Sequence, residues 1–501
     1  MAGGAANPRR TGLSKSRIAL FEQCPKRLWL SAHRPELADE APAVSASMIV
    51  GHEVGALACA LLSDGHMIEA HDGLATAAAE TALLLARGWD RPLFEATFIH
   101  EDVLVRVDLM LPIEGGWHVA EVKSTTGLKA YHLADLATQL WVMRGCGVPI
   151  ASASIRHLDR IFVLERMDDY QGLFADSAVD DLVEPLIAVR ADVVKQARAT
   201  LVGEEPQRSL GAHCDQPFPC SFRSYCGRDA PKAPAWPVTL LPDAAGKKVA
   251  ATWIGQGVDD LRQVPADAMP SERLRRVHDA TVSGVSWHDA ATIDAETRSW
   301  SYPRTFLDFE TIQLAIPRWI GTRPFEQVPF QFSAHVEHPD HTLEHHCYLS
   351  TDGGDPRRGC AEALAMLPLT GAVIAWNASF ERGCILRLAQ LFPELAEPLR
   401  SLAGRLVDVL PIVRRHYYHR DQRGSWSIKA VLPTIAPDLA YETLDEIKTG
   451  LDAQAGYMEA IDPSTLPERQ LAIRAGLLAY CARDTIAMKV VLERLVGAAS
   501  D

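Results

Sequence analysis

The sequence predicts an α/β protein built as two units, and three observations carry that expectation. Strand-like runs rich in Val, Ile and Phe alternate with stretches whose apolar residues recur near a helical period. A proline-rich break at Pro231, Pro234, Pro237 and Pro242 divides the chain near its middle. At 501 residues the chain also exceeds one comfortable hydrophobic core. Residues 13–230 read as one α/β unit, 231–300 as a linker and helical connector, and 301–501 as a second α/β unit.

In the first unit Ser14 or Ser16 can cap a helix to about Leu30, with Ile18, Phe21 and Leu28 near a 3.6 period. A second helix is expected at Ala46–Leu62. Pro92–Ile99, Asp102–Leu111 and Trp117–Val122 read as successive strands, and Glu114-Gly-Gly supplies a hairpin-type turn. Tyr131–Arg144 reads as a helix, Ile161–Arg166 as another strand and Asp176–Thr200 as a helix. In the connector, Val258–Val264 and Pro270–Ala280 read as short helices. The second unit opens with strands at Arg304–Phe309, Phe330–Val336 and Ala372–Trp376, and helices follow to the C-terminus.

Composition is that of an ordinary globular protein, 48% hydrophobic and 23% charged. No apolar run reaches membrane-spanning length, and the N-terminus lacks the apolar core of a secretion signal, so a cytoplasmic protein without membrane contact is expected. A net charge of −14 argues against non-specific coating of DNA, yet clustered acids are what hold catalytic divalent metals. Two local basic patches could meet phosphate. One is residues 1–34. The other is residues 405–429, where Arg414, Arg415, Arg423 and Lys429 interleave with Tyr417, Tyr418 and Trp426, a mixture suited to backbone contact and base stacking. The alternative for either patch is a solvated charged face.

Two places carry chemistry in the first unit. In Leu104-Val-Arg-Val-Asp108 an apolar strand delivers a carboxylate, and in Glu121-Val-Lys123 alternation puts Glu121 and Lys123 on one face. Two converging carboxylates make an oxygen cage for Mg2+ or Mn2+, and a lysine beside them can orient water and offset phosphate charge. A Glu-x-Lys is also an everyday surface pair. The second place is a set of cysteines: Cys24 alone, then Cys214, Cys220 and Cys226 some two hundred residues later, bracketing the acidic motif. Four thiolates so placed suggest an iron–sulfur staple. Zinc is the competing occupant, but structural zinc sites pair their cysteines at C-x2-4-C spacing, which is absent here.

With Gln139 as a polar residue in the apolar helix that follows, this half resembles the RecB-type PD-(D/E)xK nucleases that carry an iron–sulfur cluster. The resemblance implies a restriction-endonuclease-like fold and a 4Fe-4S cluster on Cys24, Cys214, Cys220 and Cys226. It also implies metal ligands at Asp108 and Glu121, and catalytic roles for Lys123 and Gln139. Two departures stand out. The trio is spaced C-x5-C-x5-C where many relatives have C-x2-C-x5-C, and Gly55 stands where many relatives place a metal-binding His.

Thr305-Phe-Leu-Asp308-Phe-Glu310 puts two carboxylates on one strand face. Asn377-Ala-Ser-Phe-Glu381 and Tyr480-Cys-Ala-Arg-Asp484 follow, and in the latter Tyr480 and Asp484 share a helix face. In this order the three segments resemble the motifs of DnaQ-like exonucleases with the RNase H-like fold, in their tyrosine form, with Glu381 in place of the usual Asp. The resemblance implies that Asp308, Glu310, Glu381 and Asp484 bind two divalent cations and that Tyr480 hydrogen-bonds the attacking water. Pro317-Arg-Trp-Ile-Gly-Thr-Arg and Gly424-Ser-Trp-Ser-Ile-Lys extend the likeness to a bacterial family that fuses such a domain to a RecB-type one. The expectation is therefore a nuclease acting on nucleic acid, with DNA favoured over RNA by the resemblance, in repair, recombination or phage defence. The alternative is a non-catalytic nucleic-acid-binding scaffold in which one or both sites have decayed.

Overall fold

The computed structural model describes residues 12–39, 46–229, 232–441, 444 and 446–497. Arg9 and Arg10 of the N-terminal basic patch and Pro231 of the proline break lie outside the described residues. The protein is mixed α/β and divides into two compact units. One comprises residues 1–231 with 314–325, the other 232–313 with 326–501. The expected connector thus packs as part of the second unit, while a short segment beyond residue 313 packs with the first. No described helix is long and apolar enough to cross a membrane.

The first unit is built on strands β1 (Leu93–His100), β2 (Val103–Ile113), β3 (Gly116–Lys123), β4 (Ile150–Leu158) and β5 (Phe174–Ala178), adjacent in that order. The pairings are antiparallel except β3–β4, which is parallel. The parallel pair requires a crossover, and α3 (Ala130–Gly145) supplies it. That helix buries Leu136, Ala137, Leu140, Val142 and Met143 in one cluster with Val105, Val107, Val119 and Ile155.

The expected first helix is two helices, α1 (Lys15–Gln23) and α2 (Pro25–His33). Ser14 caps α1, and the break falls at Cys24, whose extended backbone (φ −163°, ψ 117°) precedes a proline at the first position of α2. Residues 161–166 form no strand, contrary to expectation. Leu164 exchanges backbone hydrogen bonds with Gly321 and Thr322 and is the one buried member of the run, so no ladder forms there. The fourth strand is instead β4, whose Ala-Ser-Ala-Ser stretch carries little intrinsic β-preference and is held by neighbours on both edges. The helix expected at 176–200 begins at Asp180 and breaks at Val189 into two, the second being α4 (Arg190–Val202).

The second unit has strands β6 (Arg304–Gln313), β7 (Gln327–Glu337), β8 (Leu343–Leu349), β9 (Val373–Ala375) and β10 (Leu406–Asp408), in spatial order β8-β7-β6-β9-β10. The central β7 is antiparallel to both β6 and β8, and β9 and β10 continue parallel to β6. One face packs Leu307, Phe309 and Phe332 against α5 (Pro356–Ala365) and α6 (Ala378–Leu391). The other meets the long helix α8 (Pro467–Gly497), where Gln331 Nε2 donates to the Leu477 carbonyl at 2.8 Å and Ser333 Oγ lies 2.9 Å from Thr485 Oγ1. Ser333 pairs with Asp308 across the ladder, so the same register turns Asp308 toward α8. The short helix α7 (Ile428–Ile435) also packs against α8.

Within this unit Gly424 has φ +80°, and a Cβ there would stand 1.9 Å from the Leu240 carbonyl oxygen. Gly424→Ala is expected to cost the second unit about 2–4 kcal/mol, combining left-handed strain with a clash against backbone, measured by guanidinium denaturation.

Candidate functional site

In the first unit the ladder pairs Leu109 with Ala120, which brings Asp108 beside Glu121. Asp108 Oδ2 accepts the Val122 N–H at 2.7 Å. Glu121 is buried at 2% exposure and is heavily partnered. Its Oε1 accepts from Lys123 Nζ at 2.8 Å and from Lys15 Nζ at 2.6 Å, and Gln139 Nε2 donates to its Oε2. Lys123 also bonds Asp135 Oδ2 at 2.8 Å.

The four residues expected to act together here do converge. Lys15 and Asp135 join them without having been singled out, because neither bears a fixed spacing to the motif. Burial alone would raise the Glu121 carboxyl, but the Lys15 and Lys123 charges outweigh it and hold Glu121 well below the ordinary range. Asp108 moves the opposite way, pushed up to about 7 by burial and by the Glu121 charge. The pair is thus an ionised carboxylate clamped by two ammonium groups beside a carboxyl that holds its proton near neutrality. Gly55 has open space where a Cβ would project, and His52 is exposed.

Cys24, Cys214, Cys220 and Cys226 line one pocket, together with Lys26, Arg27, Arg208, Arg223 and His213. All four are free thiols. Burial pushes Cys220 and Cys226 up, with Cys24 and Cys214 adding to the rise in both. The loop carrying the trio is fastened to α1 by Gln23 Nε2, which donates to the His213 carbonyl at 2.8 Å and the Phe218 carbonyl at 2.7 Å. Four soft donors inside a cationic lining suit a thiolate-ligated cluster that carries net negative charge.

The second unit gathers Asp308 and Glu310 from β6 with Asp484 from α8, one ligand oxygen of each lying within 4.8 Å of the others. All three carboxyls are pushed up, first by burial, and for Asp308 and Glu310 also by the neighbouring carboxylates. A trio of this kind, with Glu310 and Asp484 buried and Asp308 half-buried, is relieved by a divalent cation, whose preferred donors are carboxylate oxygens. Glu381, in the first turn of α6, stands outside that trio but acts on Asp308 electrostatically. It is 2% exposed, its Oε2 has no hydrogen-bond partner among the described residues, and burial pushes it up to about 8.

Tyr480 is buried beside the trio, and its Oη accepts from Lys429 Nζ at 2.8 Å. Tyr441, which no motif pointed to, donates to Asp484 Oδ1.

The basic patch at 405–429 differs from expectation. Tyr417 and Tyr418 are 5% and 1% exposed, so neither can stack on a base. They pair with Trp287 and His288 in a two-stranded ribbon, and their hydroxyls meet Thr434 and the Gly424 N–H. Arg415 forms an ion pair with Glu296, and Arg423 donates to the Ala235 carbonyl and lies over the Trp236 ring. Arg414 is exposed, and Lys429 belongs to the acidic site rather than to the surface. Alternating Arg and Tyr read as a stacking surface in sequence. In the folded chain the aromatic members complete a core.

The family model described as "Domain of unknown function (DUF2779)" matches residues 305–427. That span contains Asp308, Glu310 and Glu381 and stops before Tyr480 and Asp484. No curated protein matches the chain. Among solved structures, one titled "Crystal structure of SSO0001" is similar at 13% identity, covering 41% of this chain and 82% of its own, with a TM-score of 0.22.

Removing one clamp on the buried carboxylate tests the first site. Lys15→Met is expected to lower the stability of the first unit by about 1–3 kcal/mol, because Glu121 keeps its burial and loses a charge partner. Thermal denaturation of the full chain reads the change.

Proposed function

We propose that the chain is a metal-dependent nuclease with a 3′→5′ exonuclease-like second unit and an iron–sulfur, RecB-like first unit. The observation that carries the reading is the convergence of Asp308, Glu310 and Asp484 on one point with Tyr480 beside them. The strand order β8-β7-β6-β9-β10, antiparallel then parallel, supports the RNase H-like resemblance. In this reading the three carboxylates seat Mg2+ or Mn2+. A divalent cation there supplies charge that offsets the phosphate's and makes water a better nucleophile. Tyr480 orients the attacking water, and Glu381, buried with one oxygen unpartnered, is placed to hold it or to complete the cation's ligands. The four cysteines hold a 4Fe-4S cluster that ties residue 24 to residues 214–226, a structural role. Nucleic acid, DNA before RNA, is the substrate on the strength of the resemblance alone.

Asp308→Asn and Asp484→Asn are each expected to slow Mn2+-dependent release of nucleotides from 3′-labelled single strands by about a thousandfold. Release at the intact rate in both variants overturns the assignment. Anaerobically purified protein is expected to hold about four irons per chain, lost in Cys214→Ser; zinc in their place removes the cluster from the reading.

One observation favours the scaffold reading for the first unit. Lys15 and Lys123 already occupy Glu121, the oxygen donor a metal would need. On that reading Glu121→Gln leaves nucleotide release unchanged while the first unit still binds strands without added metal.

A further inference from the structure

Lys429 stands in an unusual setting for a surface-patch lysine. Its Nζ donates to Tyr480 Oη at 2.8 Å and to the Lys448 carbonyl at 2.8 Å. The same ammonium lies 4.8 Å from the Tyr480 ring centroid and 5.0 Å from that of Tyr441, within cation–π range of both. Tyr441 in turn donates to Asp484. The ammonium, two phenols and a carboxylate therefore form one connected belt along the edge of the acidic trio. Lys429 is the cation whose field reaches Asp308, Glu310 and Asp484 alike.

The direction of the Lys429–Tyr480 hydrogen bond matters. An ammonium has no lone pair, so Tyr480 Oη is the acceptor, and the phenol's own hydrogen must point elsewhere. We propose that Lys429 is a positioning residue of this site, a built-in cation that fixes the donor direction of Tyr480 toward the reacting water and lightens the negative charge of the trio. The inference rests on the nuclease reading above and removes Lys429 from the strand-binding surface. A strand contact would use a flexible, solvated ammonium; this one has two hydrogen-bond acceptors and two aromatic faces already in place.

The two roles, and a merely structural one, move observables in different directions. A positive charge beside a cation site weakens metal binding, so removing it tightens that binding at a pH where the carboxylates are ionised, even as the reaction slows. The experiment measures Mn2+ affinity, taken as the binding that Asp308→Asn removes, together with kcat and KM on labelled single strands, for the intact chain, Lys429→Met and Lys429→Arg. Lys429→Met is expected to tighten Mn2+ about tenfold and lower kcat about a hundredfold with KM unchanged. Lys429→Arg, which keeps the charge but changes the donor geometry, is expected to hold Mn2+ affinity within about threefold of the intact chain while kcat falls less than in Lys429→Met.

A raised KM with unchanged kcat and Mn2+ affinity returns Lys429 to the strand surface and overturns the proposal. Weakened Mn2+ binding in both variants makes it a packing residue and also overturns it. Mn2+ affinity unmoved by Lys429→Met overturns the proposal while the nuclease reading stands. Absence of Asp308-dependent Mn2+ binding in the intact chain fails that reading itself, and the proposal with it.

Discussion

Burying carboxylates against one another is the constraint on which the second unit is organised. A carboxylate in a low-dielectric interior gives up its hydration, and each like charge a few ångströms away adds to the cost. Asp308 and Glu310 accept that cost because strand alternation leaves them no other face, and the packing of β6 and β7 on α8 brings Asp484 to them. What makes the arrangement tenable in the folded chain is the opposing charge and hydrogen bonding around it: Lys429, the Tyr441 hydroxyl and, in the proposed working state, a divalent cation. The carboxylates stand together because the sheet and the helix each carry part of the trio.

The first unit meets the same difficulty with a different solution. Glu121 is as deeply buried as any acid of the second unit, yet its counter-charges come from within the protein, as Lys15 from α1 and Lys123 from its own strand. The result is opposite electrostatics in two acidic sites. Glu121 is held ionised, whereas the trio of the second unit is driven toward its protonated forms. Two similar motifs, an acid pair on a strand, thus stand in opposite electrostatic settings. That difference is set by a lysine from an N-terminal helix more than a hundred residues away in sequence.

Much of this was legible in the sequence. Strand alternation correctly put Glu121 with Lys123, and Asp308 with Glu310, because a period of two is insensitive to tertiary context. The helical offset from Tyr480 to Asp484 held for the same local reason. The four cysteines, too, share one pocket. What escaped were contacts between distant segments. Lys15 and Tyr441 carry no motif, since only the folded chain sets them against Glu121 and Asp484. The strand at 150–158 was hidden because small residues adopt whatever the ladder on either side imposes. Tyr417 and Tyr418 misled for the converse reason. An aromatic flanked by arginines has the same composition whether it faces solvent or closes a core, and burial is decided by the ribbon they form with Trp287 and His288.

The chain passes from one unit to the other three times, near residues 231, 313 and 325. Residues 321–322 supply the backbone partners of Leu164, and Pro317 accepts from the Tyr170 hydroxyl at 3.1 Å, so the short return segment is an integral piece of the first unit. During synthesis the ribosome must therefore release the whole of β6 and the twelve residues after it before the first unit can finish its own packing. A segment of the first unit is threaded through the sequence of the second, and no single cleavage leaves both units whole.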